Sequence, residues 1–177
     1  TNPTITAVSN NQSVCSGASI GGINFSPSPV GTTVDWVNSN AAVGIASSGT
    51  GSITGYTSPN VTSQQIAVIT ATPSFGGCSG TPRTFTITVN PNPNLSTSSD
   101  PIINCLSTTA VLTASSTTSG ITYSWSPGGS SPTASATTVS NSGNYTVSAS
   151  FGSCITTSVI TVTANTSTPN ISASASS

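Results

Sequence analysis

The sequence has 177 residues, enough for one domain or two small ones, and its charged residues are Asp35, Arg83 and Asp100 alone, 2% of the chain against roughly 25% in an ordinary soluble domain. A net charge of −1 and no Lys exclude the basic stripe that a nucleic-acid backbone or an anionic membrane surface requires, and no apolar run approaches the roughly 20 residues of a membrane span. General acid–base catalysis would have only two aspartates to draw on, since His and Glu are missing too.

Helix is almost absent from the forecast, because β-branched residues, Gly, Pro and Ser dominate and no 3.6-residue period is sustained. In chain order, strands are expected near residues 3–9, 18–26, 32–38, 52–58, 65–72 and 83–90, then near 94–98, 108–115, 121–126, 134–140, 143–150 and 156–164. Turns at Ser48-Gly49, Gly76-Gly77, Gly128-Gly129 and Ser142-Gly143 punctuate them. Six or seven short strands per half fit an all-β chain of two tandem antiparallel β-sandwiches of the Ig-like size class. Solubility must then come from hydroxyls and amides rather than charge. A mucin-like Ser/Thr stalk is the competing reading, against which the apolar alternation and the placement of Trp and Cys argue.

The chain repeats itself. Thr4-Ile5-Thr6 after Pro3, Asn94-Leu95-Ser96 after Pro93 and Asn170-Ile171-Ser172 after Pro169 are versions of one opening phrase. The first two lead to Cys15 and Cys105, then to Val34-Asp35-Trp36 and Tyr123-Ser124-Trp125, then to Gly77-Cys78 and Ser153-Cys154. The first cysteines are 90 residues apart (15 to 105) and the second 76 (78 to 154), which a loop deletion explains. The domains expected are 1–90 and 91–168, with 169–177 a linker or the start of a following repeat, and Asn90-Pro91-Asn92-Pro93 a joint stiffened by two prolines. A chain that begins at Thr1 and holds no Met reads as an interior or processed segment.

Period-two alternation places Ile23, Phe25, Val34, Trp36, Ile66, Val68, Phe85, Ile87 and Val89 inward in the first repeat. In the second it places Leu112, Ile121, Tyr123, Trp125, Tyr145, Val147, Ile160 and Val162 there. Asp35 and Trp36 would make a sugar-binding pair only if both faced one way, and alternation sends them to opposite faces. Asp35 is then expected on a sheet surface near Arg83.

Four cysteines without CxxC or Cys/His clustering argue for disulfides over a metal site. Three connectivities are possible. The duplication favours Cys15 with Cys78 and Cys105 with Cys154, one bridge per repeat, with cross-repeat bridges the alternative. Either arrangement implies an oxidising compartment outside the cytoplasm. Two aspartates cannot assemble a calcium site, a Ser-His-Asp arrangement lacks its base, and an isopeptide cross-link lacks its Lys. No catalytic residue, metal or cofactor is expected, and the chain reads as a non-enzyme.

In the second repeat, Tyr123-Ser124-Trp125-Ser126, Ser142-Gly143-Asn144-Tyr145-Thr146-Val147 and Ser153-Cys154-Ile155-Thr156-Thr157 resemble the YxW, GxYxVxV and GC pattern of bacterial Ig-like repeats. In the first, Val14-Cys15-Ser16-Gly17, Trp36-Val37-Asn38-Ser39-Asn40, Ser48-Gly49-Thr50-Gly51-Ser52-Ile53 and the ending Phe85 to Pro91 resemble the related PKD-like repeat. Together these stretches cover almost the whole chain. Such repeats occur in secreted surface adhesins of Bacteroidota, including gliding-motility adhesins of the SprB type and other type IX secretion cargo. One departure stands out: antibody-like domains place a cysteine two residues after the strand-F tyrosine, where this chain has Val147. In that topology the turn before strand B and the F–G hairpin lie at opposite ends of the sandwich.

The resemblance implies a non-catalytic structural segment of a long extracellular, cell-surface filament or adhesin serving attachment or gliding. Its partners would be neighbouring repeats, other copies of the filament or surface polysaccharide, with no nucleic acid and no membrane insertion. The alternatives are a glycan- or protein-binding Ig-like module and an accessory domain of a secreted enzyme.

Overall fold

The computed structural model describes residues 2–6, 11–131, 133–165 and 167; the expected linker or third opening phrase at 169–177 lies outside them. The chain forms two compact units, Thr1–Pro93 with Phe151–Ile155, and Asn94–Ser150 with Thr156–Ser177.

In unit 1 the strands are β1 (Thr4–Ile5), β2 (Gln12–Cys15), β3 (Ser19–Ile20), β4 (Pro27–Ser28), β5 (Thr33–Asn38), β6 (Ser48–Thr50), β7 (Tyr56–Thr57), β8 (Gln65–Phe75), β9 (Cys78–Ser79) and β10 (Arg83–Asn90). The large sheet runs β2-β10-β8-β5-β6, with β9 folded back on β8, and the opposing layer consists of the pairs β1-β4 and β3-β7 with a bridge between Ile23 and Ile53. Strand β10 shows why this layer forms: Phe85, Ile87 and Val89 face the core while Thr84, Thr86 and Thr88 face out, a β-branched alternation that matches the pleat. Each such apolar side chain taken fully from water contributes about 1.5–3 kcal/mol. Trp36, opposite Ala71 in the β5–β8 register, sits in this core with Ile20, Ile23, Val43, Ile69 and Ile87.

Unit 2 contains β11 (Ser96–Thr97), β12 (Ile102–Asn104), β13 (Ala110–Ser115), β14 (Thr122–Ser126), β15 (Ala136–Val139), β16 (Gly143–Phe151) and β17 (Cys154–Asn165). They form a three-stranded sheet, β11-β13-β15, and a four-stranded one, β12-β17-β16-β14. Leu112, Trp125, Tyr145, Val147, Ile160 and Val162 fill the space between. Trp125 lies opposite Val147 in the β14–β16 register, the counterpart of Trp36 opposite Ala71.

Three sequence expectations are corrected. Ile66 and Val68 are 50% and 42% exposed, and Ala67, Ile69 and Ala71 face inward instead. Both parities of Ile66-Ala67-Val68-Ile69 are apolar, so alternation could not fix the face, and the small Ala71 under the Trp36 ring decides it. Ser48-Gly49 is not a turn but part of β6, opposite Val37 and Trp36. A Cβ on Gly49 would collide with the Trp36 indole, so the glycine makes room for the ring rather than bending the chain. Finally, the sandwiches are not wholly antiparallel, because β2 and β12 each pair in parallel with the closing strand, β10 or β17.

Candidate functional site: the cysteine-bearing ends of the closing strands

Each repeat carries one cysteine on a hairpin and one at the end of its parallel edge strand, Cys15 as the last residue of β2 and Cys105 just past β12. The hairpins read Phe75-Gly76-Gly77-Cys78 and Phe151-Gly152-Ser153-Cys154. Gly76 and Gly152 occupy the same turn position with φ of +58° and +59°, the left-handed conformation that a two-residue hairpin demands. On the other side, Cys15 ends β2 opposite Asn90, the last residue of β10. Cys105 follows Asn104, which lies opposite Asn165, the last residue of β17.

The two edge strands are docked by the same device. The Asn11 side chain accepts from the Thr86 N–H (2.8 Å) just before β2 begins, and the Asp100 carboxylate accepts from the Thr161 N–H (3.0 Å) just before β12 begins. Each side chain satisfies a backbone donor that the parallel partner does not yet reach. Asp100 is thereby explained as a structural acceptor. Asp35 is exposed on the outer face of β5 opposite Thr72, whereas Trp36 is buried on the other face. Arg83 is opposite the inward-facing Ala71 and borders Ile5 and Thr6, so the register separates it from Asp35 and the expected proximity does not occur.

Expected bridges within each repeat are overturned. The structure joins Cys15 to Cys154, with Cα atoms 5.6 Å apart and 139 residues between them in sequence, and leaves Cys78 and Cys105 as exposed thiols. The closing strand explains this. Cys15 sits at the Asn90 end of β10 and Cys78 lies before its Arg83 end, so an eight-residue strand, about 25 Å, separates them. Cys154 begins the twelve-residue β17 and Cys105 lies past its far end, about 35 Å away. A disulfide tolerates no more than about 7 Å between Cα atoms. The departure from the antibody pattern at Val147 placed Cys154 at the hairpin, but the edge strands that carry Cys15 and lead to Cys105 were not among the strands expected.

A polar network surrounds the bonded end. Ser16, buried, donates its hydroxyl to the Asn90 carbonyl (3.1 Å) and accepts from the Val61 N–H (3.1 Å). Ser58 donates to the Cys15 carbonyl (3.0 Å), Asn92 to the Ser16 carbonyl (3.0 Å), and Gln64 to the Asn90 side chain (2.8 Å). At the Cys105 end, the Asn104 side chain accepts from the N–H groups of Leu106 (2.9 Å) and Ser107 (2.8 Å) in a local turn. Leu106 there is 99% exposed. A shallow cleft between Asn104, Cys105, Leu106, Asn165 and Ser167 opens beside the thiol.

Elsewhere the surface offers little chemistry. A cleft of about 300 Å³ in unit 1 is lined by Phe25, Pro27, Val34, Gly51 and hydroxyl residues, none of which titrates near neutrality. Among the described residues no group of three or more His, Cys, Asp or Glu could hold a metal ion, and no helix is long and apolar enough to cross a membrane. Tyr56 donates its hydroxyl to the Val43 carbonyl (2.9 Å), and burial pushes its pKa up to about 12.

No family profile and no curated protein matches the chain. Its fold is similar to solved tandem Ig domains. The titin I-band fragment I67–I69 aligns over 94% of this chain and 66% of its own, with a TM-score of 0.54 at 11% identity. The N-terminal four Ig domains of Dscam1 isoform 6.9 align over 93% of this chain and 46% of theirs, with a TM-score of 0.51 at 12% identity. The chain thus spans about two thirds of the one and under half of the other, and the likeness establishes the architecture: Ig-like β-sandwiches in tandem.

Proposed function

We propose that the chain is a non-catalytic structural segment of a long extracellular surface filament or adhesin, in which tandem Ig-like units hold adhesive parts away from the cell. The observation that carries this reading is the division of labour among its side chains. Both tryptophans are core, Asp100 is a backbone acceptor, and the two remaining charged side chains lie on opposite sides of a sheet. Among the described residues nothing is gathered for acid–base or nucleophilic work. The disulfide supports export from the reducing cytoplasm. The resemblance to repeats of Bacteroidota adhesins supports attachment or gliding as the setting, with neighbouring repeats and other copies of the filament as partners.

A second reading, binding along the length of the fibre, is favoured by one observation. Val37, Ile66 and Val68 are each about half exposed on the outer face of β5 and β8, among threonines and with Asp35 the one charge beside them on β5. Such a face suits apolar and hydroxyl-rich partners, surface polysaccharide included.

Electron microscopy of the native protein tests the filament reading. A thin beaded fibre many units long is expected; a compact particle of only two units would overturn it.

A further inference from the structure

Two cysteines are bonded and two are not, yet the two sets occupy matching places. Cys154 and Cys78 both follow a Phe-Gly-x hairpin tip, and Cys15 and Cys105 both mark the end of the parallel edge strand beside the last residues of the closing strand. Their surroundings differ in a consistent way. Cys154 is 1% exposed and Cys78 is exposed; Ser16, next to Cys15, is buried, and Leu106, next to Cys105, is bare. An apolar tip residue, Phe75, stands exposed beside Cys78. Ile155 beside Cys154 is exposed as well, so what separates the two sets is the sulfur itself, bare at Cys78 and Cys105 and covered at Cys154.

We propose that the Cys15–Cys154 bridge is one link of a recurring series: Cys78 bonds the edge-strand cysteine of a preceding repeat, and Cys105 bonds the hairpin cysteine of a following one. This deepens the filament reading and rests on it. The occupant of the cleft at Asn104, Cys105, Leu106 and Asn165 is accordingly a Phe-Gly-x-Cys hairpin of the kind this chain carries twice. Because the two cysteines of a repeat lie at opposite ends of its closing strand, such links are head-to-tail and build an open series rather than a closed dimer. Each link forms when two thiols give up two protons and two electrons to a disulfide oxidant, such as oxidised glutathione, which leaves as two thiols. The reaction passes through a mixed disulfide that the second cysteine resolves.

The test uses the 177-residue chain in two variants, Cys78→Ser, which keeps the Cys105 thiol, and Cys105→Ser, which keeps the Cys78 thiol. Both positions are exposed, so folding is unaffected. The variants are mixed in equal amounts in a glutathione redox buffer, and the products are resolved by intact mass. The series predicts a Cys105-to-Cys78 heterodimer exceeding either homodimer by about tenfold, with Cys15–Cys154 intact in every species. The unmodified chain should give a ladder of disulfide-linked oligomers. Statistical proportions of homodimers and heterodimers, or monomers capped by glutathione, would overturn the linked series. Such a failure is distinct from a failure of the filament reading, which microscopy of the native protein decides.

Discussion

Units 1 and 2 close the same sandwich around the same tryptophan by different means. In unit 1 the Trp36 indole lies over Gly49 and donates to the Gly51 carbonyl (3.1 Å), so β6 covers the ring at the one position where it has no side chain. In unit 2 the Trp125 indole donates to the Ala134 carbonyl (2.9 Å), and Tyr145 locks the start of β16 by donating to the Asn141 carbonyl (2.9 Å). That last bond is the tyrosine corner of Ig-like sandwiches. Unit 1 has Ile69 at the matching place and uses Tyr56 on the Val43 carbonyl instead. What recurs is the buried indole with its N–H satisfied by a nearby carbonyl; the loop that supplies the carbonyl is free to change.

The strongest way to break this equivalence is to remove each indole in turn. Trp36→Ala and Trp125→Ala should each cost about 3–5 kcal/mol, the usual penalty for emptying an aromatic core site. Because each ring belongs to its own core, calorimetry should show one transition lowered and the other retained in each variant. Loss of both transitions together would contradict two separate cores.

Gly49→Ala is the next largest. Its Cβ would enter the space of the Trp36 ring, and overpacking of that kind costs about 1–3 kcal/mol. Denaturant unfolding should place the whole effect in unit 1. Gly51→Ala, whose Cβ meets nothing within 4 Å, is the control for backbone strain at φ +69°.

Smaller effects separate hydrogen bonds from charge. Tyr145→Phe should cost about 1 kcal/mol in unit 2 through the lost bond to Asn141. Asp100→Asn should be nearly neutral, because Asn11 performs the same docking in unit 1 with an amide oxygen, whereas Asp100→Ala should cost about 1 kcal/mol. Equal losses for Asn and Ala would show that the carboxylate charge matters after all.

Alkaline titration adds a signal confined to high pH. The Tyr56 pKa rises from its ordinary 10.0 to about 12 on folding, so the native state holds its proton while the unfolded chain releases it. The stabilisation is complete below pH 10 and is lost as pH rises from 10 to about 12. Tyr56→Phe should flatten that part of the unfolding profile for unit 1.

Much of this was legible in the residues because strong alternation and large aromatics leave few choices. Phe85-Thr86-Ile87-Thr88-Val89 has apolar side chains at one parity only, and Trp125 stands on a strand whose opposite face is Thr122, Ser124 and Ser126. Where both parities are apolar, as in Ile66-Ala67-Val68-Ile69, the face was decided by packing under the indole and could not be read. Strands β2 and β12 escaped notice because Gln12-Ser13-Val14-Cys15 and Ile102-Ile103-Asn104 are short edges held by backbone bonds and by the Asn11 and Asp100 side chains. Missing those strands hid where Cys15 and Cys105 end up. Duplication identified which cysteines correspond, but correspondence between repeats says nothing about distance within one.

Peptide mapping under non-reducing conditions, after alkylation of free thiols, reads directly which cysteines are joined. A Cys15–Cys154 linked peptide pair is expected, with Cys78 and Cys105 recovered alkylated from the isolated chain. Recovery of Cys15 linked to Cys78, or of Cys105 linked to Cys154, would contradict the parallel edge strands that place those residues at opposite ends of β10 and β17.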